Sequence, residues 1–332
     1  MLIEQDANLE NSLAIKSTAK YLITIESEGC LNELTEFLDL NPLKTLILSE
    51  GTNVVLPDYF DGVVISSSLS EISSISPSVI KVESAVNWNF FVQWCLENDM
   101  HGLENLALIP GSVGAAPIQN IGAYGVDLNQ FVKSVRFYDL SDHAIKEFSN
   151  TECKFAYRNS IFKEMNVFIL SVTFEFFDVK IQSNYQSILD YLHENNIEES
   201  SLTPKALAQI ITTIRQNRLP NPLLTPNVGS FFKNPVVNTK IIRTEEFSLE
   251  DIIIWKIDDN YSKLAAARLI ELIKSRIPIN QNVELSNEHA LVLINSNHAT
   301  QEDILSYAES IQNIVLEVFN VELQIEPSII YT

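Results

Sequence analysis

Residues 102–125 read GLENLALIPGSVGAAPIQNIGAYG, and this stretch holds five of the nine glycines in a chain of 332 residues. An average chain of this length, at about 7 % glycine, would carry more than twice as many. Glycine adopts positive φ freely and lets another group approach the backbone closely. We therefore expect residues 102–125 to form turns whose backbone lies open to a neighbouring group.

The middle of this stretch, PGSVGAAP at residues 110–117, consists of small residues and prolines. With no bulk above the backbone, a flat ligand or a pyrophosphate can lie against it; the alternative is tight packing of a turn against a sheet. The spacing matches neither a Walker loop nor the Rossmann glycine pattern, so the common nucleotide folds are not indicated. Residues 119–125 add amides and a phenol that can bond a polar heterocycle.

A second stretch, NVGSFFKNP at residues 227–235, places the last glycine of the chain directly before Ser230. No nucleophile-elbow pattern surrounds this serine and no histidine is near in sequence, which disfavours a hydrolase. A serine hydroxyl can still donate a proton to a developing carbanion, although a serine that completes a turn is the simpler reading. Arg215, Arg218 and Lys233 add positive charge around it.

Two shorter patterns point to anions. Arg158 and Lys163 lie among aromatic residues in FAYRNSIFK at residues 155–163, and an arginine fork suits a carboxylate. The alternative is a surface arginine whose stem covers its aromatic neighbours. EGTN at residues 50–53 follows an apolar run and can bind an anion through backbone N–H groups, but a plain turn is favoured there.

Composition narrows the function further. The net charge of −21 disfavours nucleic acids and anionic membrane surfaces as partners. The three cysteines (Cys30, Cys95 and Cys153) are far apart, which fits a reducing compartment and predicts a cytoplasmic protein. The five histidines are scattered, so we expect no metal site. We also expect no signal sequence and no membrane span.

Short strands and helices alternate along the chain. Strands are predicted at residues 44–49, 62–66, 79–84, 167–179 and 290–295, with a final strand from about residue 322 to residue 331. Helices are predicted after three capping signals: Asn87, Thr203 followed by Pro204, and Thr300 with Asp303.

Four motifs together resemble one protein family. LSEGTN at residues 48–53, the glycine-rich residues 102–125, YRNSIFK at 157–163 and GSFFKNP at 229–235 occur in the order typical of the UDP-N-acetylenolpyruvoylglucosamine reductase (MurB) family. The resemblance spans about residues 44–331. It implies an α+β fold in which a two-lobed FAD-binding domain of the vanillyl-alcohol-oxidase (PCMH) type precedes a C-terminal α/β substrate domain. We expect these domains at residues 1–198 (lobes 1–70 and 71–198) and 199–332.

The resemblance also implies the chemistry. FAD is the expected cofactor, NADPH the expected co-substrate, and the enolpyruvyl ether of a UDP-amino sugar the small-molecule substrate of a monomeric reductase of peptidoglycan precursor synthesis. NADPH gives a hydride to the flavin, which passes one to the enolpyruvyl β-carbon, and a serine protonates the α-carbon to form UDP-N-acetylmuramate. Alternatives are a related flavoenzyme with another substrate and a non-catalytic flavin-binding relative.

Site residues follow from the positions of the motifs. The implied catalytic residues are Arg158, Ser230 and Glu326, and their joint presence argues against a non-catalytic relative. The implied FAD contacts are Gly51, Thr52, Asn53, Gly111, Ser112, Gly114 and Gly122. The implied substrate contacts are Tyr124, Tyr185, Arg218, Lys233 and Asn234. Tyr185 marks the form of the family with a substrate-capping tyrosine loop.

The sequence departs from the family pattern at four places, one of which is the segment at residues 279–286, where the usual glycine and histidine are missing. Ser49 replaces a glycine that is usual in the first loop. In the helix at residues 265–270, Ala-Ala-Arg ending at Arg268 replaces the family's Ala-Gly-Trp. The chain ends with LQIEPS at residues 323–328, so an ungapped count places Glu326 at the catalytic glutamate, whereas matching the Glu-Pro pair places Ser328 there. The ungapped count is preferred, because a slip by one residue exchanges the faces of a strand.

Overall fold

The computed structural model describes residues 1–178 and 180–332. The described strands, numbered in chain order, are β1 Leu2–Asn8, β2 Thr18–Ile25, β3 Lys44–Ile47, β4 Val54–Val55, β5 Tyr59–Ser67, β6 Ile72–Ser76, β7 Val79–Glu83, β8 Gly122–Ala123, β9 Val126–Asp127, β10 Val132–Asp139, β11 Ala144–Ser149, β12 Val167–Glu175, β13 Val236–Asn238, β14 Ile254–Lys256, β15 Tyr261–Leu264, β16 Val283–Leu285, β17 Leu293–Asn295 and β18 Ser328–Ile329. The described α-helices are α1 Leu31–Leu40, α2 Trp88–Glu97, α3 Gln186–Glu194, α4 Pro204–Arg218, α5 Ala266–Ile273 and α6 Gln301–Phe319.

The first compact unit comprises Met1–Ala7, Ala19–Glu50 and Asp61–Arg215. It contains a four-stranded sheet in the order β1-β2-β5-β3, with β3 parallel to β5, and a five-stranded antiparallel sheet in the order β11-β10-β12-β7-β6. The strands predicted at residues 44–49, 62–66 and 79–84 are confirmed in β3, β5 and β7. The strand predicted at residues 167–179 is too long, because β12 ends at Glu175, and residue 179 lies outside the described residues.

Strand β12 separates two hydrophobic cores of this unit. Phe174 packs with Trp88 and Phe91 of α2 in one core, while Phe168 and Leu170 belong to the other. Because both faces of the strand are buried, its sequence reads as a nearly continuous apolar run.

The two predicted helix starts in this unit are confirmed at α2 and α4. The Asn87 side chain accepts the N–H of Phe90 at 3.0 Å, and Thr203 Oγ1 accepts the N–H of Ala206 at 3.2 Å. Each bond satisfies one of the N–H groups that have no partner within their own helix.

The second compact unit comprises Asn8–Thr18, Gly51–Phe60 and Gln216–Thr332. Its core forms around α5 and α6, whose apolar sides contribute Leu269, Ile270, Ile304 and Ile311. The predicted capping box is confirmed, since Thr300 and Asp303 bond each other's backbone N–H groups at the start of α6. Three small sheets complete the unit: β13-β15-β14, β16-β17 and β4-β18.

The predicted C-terminal strand is wrong in extent. Only Ser328 and Ile329 form a strand, parallel to the two-residue strand β4, and Ile325 makes an isolated bridge with Phe232. The carbonyl of Leu323 instead accepts a side-chain bond from Gln312 of α6 at 2.6 Å. Val321 and Leu323 are buried in the core. The C-terminal segment nevertheless forms little strand, because its partner β4 is only two residues long.

None of the helices in the described part of the chain has the length and hydropathy that crossing a membrane requires. Within residues 1–178 and 180–332, no group of three or more histidine, cysteine or acidic side chains is arranged to hold a metal ion.

Candidate active site

In the first unit, a short hairpin carries two of the predicted site residues. Strands β8 and β9 pair Gly122 with Asp127 and Ala123 with Val126, leaving Tyr124 and Gly125 as a two-residue turn. Both turn residues have positive φ, 48° at Tyr124 and 84° at Gly125. Two successive positive φ angles are the geometry of the tight hairpin turn, in which glycine is favoured at the second position. The turn therefore fixes the backbone of Tyr124 at the end of the hairpin.

Arg158 lies against this hairpin. Its Nη2 donates to the carbonyl of Gly122 at 2.6 Å, and its Nη1 lies 3.9 Å from the Asp127 carboxylate. A side chain at Gly122 would collide with this pair, because an added Cβ would come 1.8 Å from Asp127 Oδ1 and 3.0 Å from Arg158 Nη1. Lys163 supports the arrangement by donating to the Arg158 carbonyl at 2.8 Å.

Arg215, at the end of this unit, adds a second positive charge. Its Nε atom is buried and has no hydrogen-bond partner within the described residues. Burial lowers the pKa of Arg215 below its ordinary value and the charge of Arg158 adds to that shift, while the Tyr124 hydroxyl acts in the opposite direction. Two cations with one carboxylate beside them, and one buried donor unsatisfied, form a site that an anion would complete.

Tyr185 also belongs to this cluster. Its ring packs edge-to-face on the ring of Tyr124, with 5.4 Å between the ring centroids, and it lies directly before α3. The side chain is 45 % exposed, so much of it faces solvent. The structure thus brings together Gly122, Tyr124, Arg158 and Tyr185, four residues that the family resemblance indicated separately.

The buried loop at residues 110–117 packs tightly against β7 and α2. Trp88 N donates to the Gly111 carbonyl at 2.8 Å, and Gly114 N donates to the Ser84 carbonyl at 2.9 Å. A Cβ at Gly114 would come 2.6 Å from Ser84 Cβ. The packing interpretation of this loop therefore holds at Gly114, where the neighbour that requires glycine is protein.

Ser49, which departs from the family pattern, has a defined place in the same unit. Its hydroxyl donates to the Ser112 hydroxyl at 2.7 Å. The departure therefore adds a hydrogen bond to a loop residue that the resemblance implies in FAD binding.

In the second unit, the residues implied at the first loop are held by backbone. Gly51 has φ 63°, and an added Cβ would lie 2.6 Å from the Glu10 carbonyl oxygen, so neighbouring chain closes over it. Ser12 N donates to the Gly51 carbonyl at 3.1 Å, and Ser328 N donates to the Asn53 carbonyl at 3.0 Å. The backbone of Ser328 is thus used to hold Asn53, and its side chain is exposed.

Ser230 and Glu326 lie on neighbouring backbone segments of this unit. Ser230 bridges Val292, and the next residues pair with the C-terminal segment: Glu326 N donates to the Phe231 carbonyl at 2.9 Å and Lys233 N donates to the Gln324 carbonyl at 2.9 Å. Phe231 is fully buried and anchors the segment in the core. The register therefore places Glu326 beside the residue that follows Ser230, and directs Ser328 to Asn53.

The remaining predicted contacts of this unit are more dispersed. The Asn234 side-chain oxygen Oδ1 accepts Ala266 N at 3.0 Å at the start of α5, so this side chain has a structural role. Arg218 is exposed. The pKa of His289 is lowered mainly by burial of the His289 ring, and the charge of Arg218 lowers it further. His289 Nδ1 accepts Leu291 N at 3.2 Å, which leaves the ring proton on Nε2.

Arg268 lies away from these residues. Its Nε donates to the Asp251 carbonyl at 2.8 Å, and Nη1 lies 3.4 Å from the Glu271 carboxylate on the same helix. This departure from the family pattern forms surface contacts.

Sequence reasoning undervalued two residues of the first unit. Arg215 attracted notice only as nearby positive charge, yet its buried Nε is an unsatisfied donor. Asn105, inside the glycine-rich stretch, is not among the predicted site residues, yet its amide donates to the carbonyls of Tyr124 and Gln182. A polar residue among apolar neighbours in LENLAL was the only available signal.

Comparison with known families defines the class of protein. A family model described as "FAD binding domain" matches residues 19–148, and one described as "UDP-N-acetylenolpyruvoylglucosamine reductase, C-terminal domain" matches residues 221–330. The chain therefore carries an FAD-binding domain followed by this C-terminal domain.

Full-length relatives give the family. A UDP-N-acetylenolpyruvoylglucosamine reductase from Aliivibrio fischeri is 33 % identical over 98 % of this chain and 93 % of its own, and one from Bdellovibrio bacteriovorus is 36 % identical over 97 % of each. This chain belongs to the UDP-N-acetylenolpyruvoylglucosamine reductase family. The crystal structure of the MurB reductase from Thermus caldophilus has the same fold, with a TM-score of 0.68 and 18 % identity over 99 % of each chain. The predicted family and fold class are confirmed.

Proposed function

We propose that this chain is the FAD- and NADPH-dependent reductase that converts UDP-N-acetylglucosamine enolpyruvate to UDP-N-acetylmuramate in peptidoglycan precursor synthesis. Full-length similarity to reductases of this name supports the proposal. The observation that carries it is the register of the second unit, where Glu326 N bonds the carbonyl next to Ser230. A hydroxyl and a carboxylate on adjacent segments are the groups that the reaction requires.

The loop at Gly111 and Ser112 fits FAD. Ser112 is 3 % exposed, and the hydrogen bonds described for these two residues use their carbonyl oxygens and the Ser112 hydroxyl. Within the described residues neither backbone N–H has a partner, and buried N–H groups are nearly always paired. Acceptor oxygens of a flavin nucleotide would satisfy these two N–H groups. Backbone N–H groups can bind such oxygens although residues 102–125 contain no lysine. Gly51, Thr52, Asn53, Gly114 and Gly122 complete the proposed contacts.

When bound, the flavin supplies the ability to take a hydride from NADPH and pass one to the enolpyruvyl β-carbon. Arg158 would hold the substrate carboxylate through its guanidinium fork, with Arg215 as the second positive charge beside it. Negative charge that develops at the α-carbon spreads into this carboxylate, so the two arginines stabilise it.

Ser230 would then donate its hydroxyl proton to the α-carbon, which completes the lactyl ether. Glu326 would assist at the same carbon, and the alternative placement of Ser328 there has less support because Ser328 is paired with Asn53. Tyr124, Tyr185, Arg218, Lys233 and Asn234 are proposed to bind the remainder of the sugar nucleotide.

The division of labour follows the two domains. We propose that residues 1–198 bind FAD and residues 199–332 bind the substrate, in keeping with the family matches at 19–148 and 221–330. Three free cysteines fit a reducing cytoplasm. The net charge of −21 disfavours self-association, so we propose a monomer; sedimentation at a mass other than 37.5 kDa would contradict this.

An anaerobic assay in two steps tests the proposed function. NADPH should bleach the yellow protein, and the UDP-enolpyruvyl sugar, added without oxygen, should restore the colour within one turnover. Failure of bleaching would indicate a relative without this chemistry. Reoxidation by simple enol ethers as fast as by the UDP-sugar would indicate a flavoenzyme for another substrate.

A further inference from the structure

We propose that Asn105 is a positioning residue, which holds Tyr185 at the substrate by joining the segment before Tyr185 to the Tyr124 turn. This inference rests on the proposed function, because Tyr124 and Tyr185 are proposed substrate contacts. It concerns a side chain that the motifs did not single out.

The Asn105 amide joins two loops of the first unit. Its Nδ2 donates to the Tyr124 carbonyl at 2.9 Å and to the Gln182 carbonyl at 2.8 Å. Because both partners accept, both bonds must use the two N–H groups of the amide nitrogen. The residue is 1 % exposed, so water does not reach its amide and loss of either bond leaves a buried N–H group unsatisfied.

The support of Asn105 is rigid. It lies in a short 3-10 helix, Glu104–Leu106, whose Leu106 carbonyl accepts the buried indole N–H of Trp88 at 2.9 Å. The buried Glu104 carboxylate accepts the N–H of Gly102 at 2.7 Å and closes the preceding turn. Asn105 therefore extends from the core toward both loops.

Both partner carbonyls are close to tyrosines that touch each other. Tyr124 itself supplies one carbonyl, from a turn with positive φ, and Gln182 lies three residues before Tyr185. The two rings pack at 5.4 Å, nearly perpendicular. The same two loops are thus connected through backbone by Asn105 and through side chains by the ring pair.

Other contacts of the segment leave this role to Asn105. Ile181 packs on the core, and the Ser183 hydroxyl bonds the Glu199 carboxylate, which follows in the chain. These contacts attach the segment to the core and to Glu199. The Asn105 bonds set its position relative to the Tyr124 turn and hence the place of the Tyr185 ring, which is 45 % exposed.

Asn150 offers a matched control. Its Nδ2 also donates to two carbonyls, those of Asn129 and Val132, each at 2.7 Å, but neither segment carries a proposed substrate contact. Asn105→Leu and Asn150→Leu thus remove the same number and type of bonds from the same unit. Asn105→Asp is a second variant that keeps the size of the side chain and removes its donors.

The first measurement uses the holoprotein without substrate. Fluorine NMR of protein labelled with 3-fluorotyrosine reports the ring contact, with the Tyr185 resonance assigned from Tyr185→Phe. Asn105→Leu and Asn105→Asp should move this resonance toward the position of an exposed tyrosine, while Asn150→Leu should leave it in place. An unmoved resonance in both Asn105 variants would overturn the inference whatever the protein catalyses.

The second measurement is a double-mutant cycle on the KM for the UDP-enolpyruvyl sugar. We expect Asn105→Leu to raise KM about tenfold, and to raise it no further in a Tyr185→Ala background, because the residues act as one unit. Multiplication of the two single effects in the double variant would contradict a role through Tyr185. Absence of any turnover by the wild-type chain would instead refute the proposed function. The NMR result would still decide whether Asn105 positions Tyr185.

Discussion

The loop at residues 110–117 and the segment at residues 227–235 hold proposed site residues by different means. In the first, a Cβ at Gly114 would meet Ser84 at 2.6 Å, so bulk is excluded by neighbouring protein. In the second, a Cβ at Gly229 would meet nothing within 4 Å, and the residue is set apart by its φ of 73°. The first region requires glycine because neighbouring protein leaves no space for a side chain. The second requires it because of its backbone conformation.

In the proposed function, this difference separates cofactor binding from proton delivery. A loop with buried N–H groups and no side-chain bulk can present backbone to a flat nucleotide. A segment whose register is fixed by Phe231 and Glu326 can instead present side chains, Ser230 foremost, at defined positions. We expect substitutions in the two regions to fail differently: the first through stability and FAD affinity, the second through rate.

The largest effect expected from a carboxylate change is at Glu326. Glu326→Gln should lower kcat about 100-fold, within the range for a positioned acid–base group, and leave the free energy of unfolding nearly unchanged. Ser328→Ala should change kcat less than about twofold, since its backbone is what holds Asn53. Steady-state kinetics of both variants test the register, and the reverse ranking would favour the alternative placement of Ser328.

Gly114→Ala should be the most damaging single-methyl change in the loop at residues 110–117. The added carbon meets Ser84 Cβ, Cα and carbonyl oxygen at 2.6 to 3.0 Å, so backbone must move. We expect the free energy of unfolding to fall by about 2–3 kcal/mol and FAD to dissociate more readily. Urea unfolding and FAD titration measure both; retention of full FAD affinity would show that the loop tolerates bulk.

Gly229→Ala should cost less, because the strain is conformational. Left-handed backbone costs an L-residue roughly 1–2 kcal/mol, and the reduced freedom of the unfolded chain offsets part of it, leaving about 1 kcal/mol. Asparagine tolerates this conformation better, so Gly229→Asn should be milder than Gly229→Ala in urea unfolding. At Gly114 the order should reverse, since asparagine is larger; the same order at both sites would remove the distinction between the regions.

The smallest effect concerns pH. Burial, and then the charge of Arg218, lowers the pKa of His289 below its ordinary 6.5. The unfolded chain therefore binds this proton more readily, and the free energy of unfolding decreases as pH falls from 6.5 toward the folded-state pKa. His289→Gln should flatten this part of the pH profile of urea unfolding. Identical profiles for wild type and His289→Gln would contradict the assignment.

Local signals in the sequence predicted the fold well. Asn87, Thr203 and the Thr300–Asp303 pair mark helix starts because a cap depends on residues only three positions away. The C-terminal strand was predicted too long, since its extent depends on a two-residue partner, β4, that is distant in sequence. Pairing of this kind leaves no local trace.

The candidate site divides in the same way. The family resemblance indicated Arg158, Tyr124 and Tyr185 separately, but only the folded unit brings them together around Gly122. Arg215 and Asn105 could not be ranked from sequence, because an unsatisfied Nε and an amide shared by two carbonyls depend on burial and long-range contact.

The central claim is that Ser230 delivers the proton in the sugar half-reaction and has no part in the NADPH half-reaction. Rapid-mixing absorbance of the flavin, without oxygen, follows each half-reaction separately in wild type and Ser230→Ala. We predict bleaching by NADPH within about twofold of wild type, and reoxidation by the UDP-enolpyruvyl sugar slowed about 100- to 10,000-fold. Equal slowing of both half-reactions, or none of the second, would contradict it.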